Sequence, residues 1–272
     1  MLTTDFVPGS PCWIDLGAPD VAAAVAFYGA VFGWEAQSFG EEAEGYAVLR
    51  VGGRAVGAVG RLTEAGARSA WTVYFNTPDA GAAAEAVLDA GGTVRLPPTD
   101  AGKEGRLAQF TDPQGGRFAV WQPGTMPGME LTDEPGSLCW AELYTTDAAA
   151  AKRFYGGLFG WRSSEVPMPG GEGGYTLLTP HGLPPERMFG GLLELRPEHL
   201  TLTSGLPYWH PVFTVVDCDA TVAKVTAQGG TVQMGPVDAP DIGRMAVCVD
   251  PAGADFVLLT PPLTPPTATA EA

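Results

Sequence analysis

The sequence predicts an α+β protein written twice, with two domains that each contain two strand–helix–three-strand (βαβββ) modules, four modules in all. The first observation is a repeat: Cys12-Trp13-Ile14-Asp15-Leu16 returns as Cys139-Trp140-Ala141-Glu142-Leu143, and Phe27-Tyr28 through Phe32-Gly33-Trp34 returns as Phe154-Tyr155 through Phe159-Gly160-Trp161, both 127 residues on. The second is its continuation at an offset of 138, where Trp71, Gly91-Gly92-Thr93-Val94, Gly105-Arg106 and Asp112-Pro113 recur as Trp209, Gly229-Gly230-Thr231-Val232, Gly243-Arg244 and Asp250-Pro251. The second copy has therefore gained residues, expected mostly around Pro184-Pro185. A repeat this long is a duplicated domain, not a short-period solenoid. The third is size: 272 residues with a 45% hydrophobic share fill two ordinary cores, at roughly 150 residues per domain.

The elements follow in chain order. Cys12 to Gly17 is a strand. Asp20 then caps a helix whose apolar face carries Val21, Ala24, Val25, Tyr28 and Phe32, and Gly33 ends it. Strands are expected at Glu35–Phe39, Tyr46–Val51 and Ala55–Arg61, parted by glycine turns. Trp71–Asn76 opens the next module, and Asp79 caps a helix that Gly91-Gly92 stops. Strands around Thr93–Leu96, Arg106–Thr111 and Arg117–Trp121 complete the copy, with Asp112-Pro113-Gln114-Gly115 as a hairpin turn. Gly52-Gly53 and Gly190-Gly191 are expected to be turn residues. The first domain is placed at residues 1–122 and the second at 137–260. A Pro- and Gly-rich linker spans 123–136, and a disordered tail spans 261–272.

Charge narrows the partners. Lys plus Arg number 15 against 31 Asp plus Glu, a formal charge of −16. Such a surface disfavours nucleic acid, whose binding depends on cationic neutralisation of phosphates, and anionic membranes. The longest apolar stretch, Val21 to Trp34, is 14 residues, too short for a bilayer span of about 20. Met1 to Asp5 has neither the basic nor the apolar part of a signal peptide. The expectation is a cytoplasmic protein with a small-molecule partner, as monomer or homodimer. The four cysteines form no CxxC or Cys/His cluster, so reduced, strand-buried thiols are expected and structural zinc is not.

A strand, then Pro-Asp or Thr-Asp, then an Ala-rich helix ending Phe-Tyr-x-x-x-Phe-Gly-Trp, resembles the entry to the vicinal oxygen chelate fold of glyoxalase I, bleomycin-resistance proteins, fosfomycin-resistance enzymes and extradiol dioxygenases. The Asp-Pro-x-Gly turn resembles its closing hairpin. The match covers about residues 10–122 and 137–260. The Cys-Trp-x-Asp/Glu-Leu opening looks like a tandem actinobacterial subgroup labelled hydroxylase or glyoxalase-like, some members being encoded near antibiotic pathways. The resemblance implies curved mixed sheets enclosing cavities, and a divalent metal held by His/Gln and Glu side chains on inward-facing strand positions. Counted from the capping aspartates and the Asp-Pro turns, those positions fall on Trp13, Thr72 and Ala119 in the first copy and on Trp140, His210 and Val257 in the second. Only His210 is a good ligand. The expectation is therefore no metal and no cofactor.

Other residues are candidates in its place. Strand alternation puts Trp13 with Asp15, and Trp140 with Glu142, on one face. An indole face beside a carboxylate suits a flat apolar or cationic ligand, although both tryptophans equally suit simple packing. Asp15 and Glu142 are either hydrogen-bond partners of the fold or, buried in an apolar cavity, carboxyls of raised pKa able to act as general bases. Thr72 and Tyr74 share a face and could give hydroxyl hydrogen bonds. Tyr46 and Tyr175, equivalent in the two copies, are placed at a cavity mouth. His210 is the best candidate for acid–base chemistry. Arg106 and Arg244 are expected to pair with Asp100 and Asp238.

The leading reading is metal-independent binding of a small aromatic or polycyclic molecule, in drug sequestration or as an accessory protein of natural-product metabolism. The alternative is a metal-free enzyme of that metabolism (isomerase, lyase or hydroxylase-like) using Asp15, Glu142 or His210. Metal-dependent glyoxalase or dioxygenase chemistry is the reading that the missing ligands favour least.

Overall fold

The computed structural model describes residues 2–38, 45–62, 64, 67–167 and 174–262. In the first copy, β1 (Pro11–Ala18), α1 (Val21–Phe32), β2 (Glu35–Ser38), β3 (Ala47–Val51) and β4 (Arg54–Arg61) form one module. The next contains β5 (Ala70–Asn76), α2 (Ala80–Asp89), β6 (Thr93–Ala101), β7 (Gly105–Thr111) and β8 (Arg117–Pro123). The second copy repeats this as β9 (Leu138–Thr145), α3 (Ala148–Phe159), β10 (Arg162–Pro167), β11 (Gly174–Thr179) and β12 (Gly190–Glu194), then β13 (Tyr208–Thr214), α4 (Cys218–Ala227), β14 (Thr231–Ala239), β15 (Gly243–Val249) and β16 (Asp255–Thr260). Each copy forms one open eight-stranded mixed sheet, in the orders β2-β3-β4-β1-β5-β8-β7-β6 and β10-β11-β12-β9-β13-β16-β15-β14. The first strands of the two modules pair antiparallel, β1 with β5 and β9 with β13.

The helix signals act as expected. Asp20, Asp79, Asp147 and Asp217 each sit in extended backbone and accept a hydrogen bond from an N–H of the first turn, which satisfies donors that a helix start leaves orphaned. Gly33 and Gly160 end α1 and α3 in the left-handed region. Several expectations need correction. The strand expected at Thr93–Leu96 runs on to Ala101 across Pro97-Pro98, which register shifts against β7 accommodate. Gly190-Gly191 is not a turn but lies within β12, where a Cβ on Gly191 would stand 2.1 Å from the Tyr175 hydroxyl. The extra residues of the second copy are spread over three connections, two before β11, four between β11 and β12 and five between β12 and β13, because the offset rises from 127 through 129 and 133 to 138. The four cysteines are buried and free, but Cys218 opens α4 and is not in a strand. Phe39 and the tail from 263 lie outside the described residues. The segment after β8 is packed: Met129 and Leu131 are buried, and Met129 N–H donates to the Cys12 carbonyl.

The two sheets meet through α1, α3 and their inner strand faces, in a reciprocal aromatic interface. Trp71 Nε1 donates to the Tyr28 hydroxyl (3.1 Å), which donates to Asp250 Oδ2 in the other domain (3.2 Å). The mirror relay runs from Trp209 Nε1 through the Tyr155 hydroxyl to Asp112 Oδ2, at 3.0 and 2.9 Å. Trp34 and Trp161 likewise reach across to the carbonyls of Gly136 and Gly9, both at 2.8 Å. Around these bonds Phe32 and Tyr28 pack on Phe213 and Phe256, while Phe159 and Tyr155 pack on Phe75 and Phe118. Residue i meets j and j meets i, as in a twofold interface. The inner faces are thereby used, leaving one outer face on each sheet.

Tyr28→Phe and Tyr155→Phe each leave one oxygen of a buried carboxylate and an indole N–H without their partner, so each is expected to cost about 1–3 kcal/mol. Urea unfolding at neutral pH measures it. The double variant should lose about the sum, because the relays share no partner, and unchanged midpoints in the single variants would remove the relays from this account.

Candidate functional site

Register places the outer-face residues in rows. On the second sheet Glu142 of β9 faces His210 of β13, and β13 runs parallel to β16 with Val212 opposite Val257, so Asp255 follows in the same row. His210 is fully buried, its Nε2 3.0 Å from Glu142 Oε2 and its Nδ1 2.9 Å from Asp255 Oδ2. Burial alone would lower the imidazole pKa, but the two carboxylates outweigh it and lift it to about 9. His210 is thus an imidazolium at neutral pH, and both its N–H groups donate. Burial pushes the Glu142 carboxyl up, yet hydrogen bonds from His210, Tyr175 and Tyr144 leave it below its usual range. Arg68, from the connection between β4 and β5 of the other domain, completes the row. Its Nη2 lies 3.4 Å from Asp255 Oδ1, its Nη1 donates to the Gly253 carbonyl (2.9 Å), and its guanidinium stands 5.6 Å over the Tyr208 ring.

Aromatic rings surround this row. Trp140 Nε1 donates to the Tyr175 hydroxyl at 2.8 Å. The Tyr144 and Tyr208 ring centres lie 4.4 and 5.6 Å from that of His210. Trp140, Tyr144, Tyr175 and Tyr208 are all half-buried; the Trp140 indole and the Tyr144 and Tyr175 hydroxyls are hydrogen-bonded, and ring surface is left over. Beside Trp140 the floor is apolar: Val212, Val247 and Val257, flanked by Met245 and Leu259.

The first sheet holds a different arrangement at the same places. Its row is Asp15 opposite Thr72, followed on β8 by Arg117, which pairs outward with Glu64 at 3.1 Å. The Tyr74 hydroxyl donates to Asp15 Oδ2 (2.6 Å) and receives Gln109 Nε2 at 3.4 Å. Thr72 also bonds the carboxyl, but burial prevails and raises Asp15 to about 6. Trp13 donates to the Tyr46 hydroxyl at 3.3 Å, and Trp13 and Tyr74 are only 2% and 3% exposed. The structure therefore gathers Asp15, Trp13, Tyr46, Thr72 and Tyr74 on one face, and Glu142, Trp140, Tyr175 and His210 on the other. Arg106 and Arg244 pair with Asp100 and Asp238, away from both rows. Asp255, Tyr144, Tyr208 and Arg68 were not singled out in the sequence.

The donors present do not fit a divalent ion. His210 has both ring nitrogens engaged by carboxylates, and Trp140, Val257, Trp13, Thr72 and Ala119 offer no ligand set. Among the described residues no group of three or more His, Cys, Asp or Glu side chains could hold a metal.

The sequence profile of the Glyoxalase/Bleomycin resistance protein/Dioxygenase superfamily matches residues 12–120 and again 137–258. The chain belongs to this superfamily. It is 40% identical over 270 residues to "Anthracycline biosynthesis protein DauV" of Streptomyces sp. strain C5, covering 93% of this chain and 94% of the relative. It is 34% identical over 264 residues to "Putative glyoxylase CFP32" of Mycobacterium tuberculosis, covering 95% and 97%. Among solved structures, the Mn(II)-bound glyoxalase from Novosphingobium aromaticivorans superposes with a TM-score of 0.61 at 17% identity, over 93% of this chain and 83% of that one. That likeness is one of fold. As a glyoxalase-superfamily chain, this protein keeps the tandem sheets. Among the described residues no helix is long and apolar enough to cross a membrane.

The His210 imidazolium makes stability depend on pH. Its folded pKa, about 9, lies above the ordinary 6.5, so its contribution is complete below pH 6.5 and is lost as pH rises through 9. The linkage amounts to about 3 kcal/mol. Urea unfolding between pH 6.5 and 9.5 should show this decline in the native protein and a flatter profile in His210→Gln. Equal slopes would assign the decline to other groups.

Proposed function

We propose that the protein binds a small planar aromatic molecule, without a metal, on the outer face of the second sheet, and that it serves natural-product metabolism as a sequestering or accessory protein. The observation that carries this is the half-buried set Trp140, Tyr144, Tyr175 and Tyr208 around a row whose charges are already paired. Ring surface left partly open beside an apolar valine floor favours stacking by a flat ligand. The relative named for anthracycline biosynthesis supports the metabolic setting.

The enzymatic alternative has less support at each of its residues. Glu142 accepts from three donors, His210 is enclosed with both nitrogens engaged, and Asp15, the carboxyl best tuned for proton transfer, is tied to Tyr74.

Tryptophan fluorescence tests the reading with two planar tricyclic probes, anthraquinone-2-sulfonate and proflavine, at physiological salt. At least one is expected to quench saturably, and Trp140→Ala should weaken that binding about tenfold, the loss of roughly 1.4 kcal/mol of stacking. Binding indifferent to Trp140→Ala, or no binding of either probe, would refute it.

A further inference from the structure

We infer that the protein carries one ligand site per chain, because Tyr74 fills the first sheet's outer face while the second sheet has moved its aromatic bulk from floor to rim. This rests on the binding reading above and adds which sheet is open and which residue closes the other.

Equivalent positions of the two outer faces carry different side chains. Tyr74 of β5 corresponds to Val212 of β13, and Gln109 of β7 to Val247 of β15, at the shared offset of 138. In the first sheet the Tyr74 ring stands in the middle of the floor, anchored at its tip by Asp15 and Gln109. Trp13 beside it is 2% exposed, whereas its counterpart Trp140 is half-buried. A buried phenol hydrogen-bonded on both sides is costly to displace, since a ligand entering there would strand the Asp15 carboxyl.

The rim has changed in the opposite sense. Gly17 and Ala70 of the first copy correspond to Tyr144 and Tyr208 of the second. The space beside Gly17 is taken by the Leu62 side chain, whose methyl would stand 2.8 Å from a Cβ there. In the second, Tyr144 and Tyr208 flank His210 and meet edge to face, 5.6 Å apart, with the His210 row standing between them and the valine floor. Arg68 reaches this ring pair from the first domain, while its counterpart, Leu206, packs instead on Gly115 of the first domain's hairpin. The first outer face is thus filled by a phenol, whereas the second has valines in its place, themselves only 1–6% exposed, and keeps its half-buried rings at the edges.

Isothermal titration with whichever of anthraquinone-2-sulfonate and proflavine binds the native protein tests this directly. The native chain should bind one probe per chain. Tyr74→Val, which installs the residue of the second copy, should raise the stoichiometry to two, and Trp13→Ala added to it should return it to one. The reciprocal Val212→Tyr keeps the test decisive where Tyr74→Val fails to fold: it should reduce binding at least tenfold with circular dichroism unchanged. Two probes per native chain, or unchanged affinity in Val212→Tyr, would overturn the inference while leaving ligand binding itself standing. Absence of any binding by the native chain would remove both.

Discussion

The structure depends on two buried carboxylates being satisfied from across the domain boundary. Asp112 and Asp250 sit in the Asp-Pro turns, each with one oxygen taking backbone N–H groups of its own hairpin. The other oxygen accepts a tyrosine hydroxyl from the opposite domain, itself held by a tryptophan N–H. Burial raises both carboxyls above their usual range even with these partners in place, and a buried carboxylate is costlier still without them. Neither domain can complete its own turn, so the Phe-Tyr-x-x-x-Phe-Gly-Trp repeat is as much an interface motif as a helix ending. It sets the two sheets back to back, and that arrangement leaves their outer faces free to differ.

They have differed in chemistry as well as in shape. The row Asp15–Thr72–Arg117 on one sheet is Glu142–His210–Asp255 on the other, joined by Arg68 from its neighbour. A buried imidazolium between two carboxylates adds little net stability against an apolar replacement, yet losing one partner is costly. Its consequence is positional: it fixes the tyrosines that donate to Glu142 and ring the site. A row already neutralised within itself demands no charged partner, in keeping with the flat ligand proposed above.

Much of this was legible in the sequence because periodicity and capping are local. The duplication, the capping aspartates and the pairing of Trp13 with Asp15 on one strand face follow from short-range spacing. The partners of His210 did not, because Asp255 lies 45 residues away and becomes a neighbour only through the β13–β16 register. Arg68 was hidden for the same reason, its target lying in the other domain. Yet signals existed. The change of Arg117 to Asp255 and the gain of Tyr144 and Tyr208 over Gly17 and Ala70 stand at equivalent positions, where comparing the copies exposes them. Gly190-Gly191 was misread because glycine beside glycine usually marks a turn, whereas here the bare backbone makes room for Tyr175.

The measurement that bears most directly on the central claim is a crystal structure of the native protein soaked with the planar tricyclic probe that binds it. The account predicts one molecule per chain lying against Trp140 and the valine floor, with the His210 contacts to Glu142 and Asp255 intact and the Trp13 face unoccupied. A probe stacked on Trp13, or an ion bound by Glu142 and His210, would contradict it.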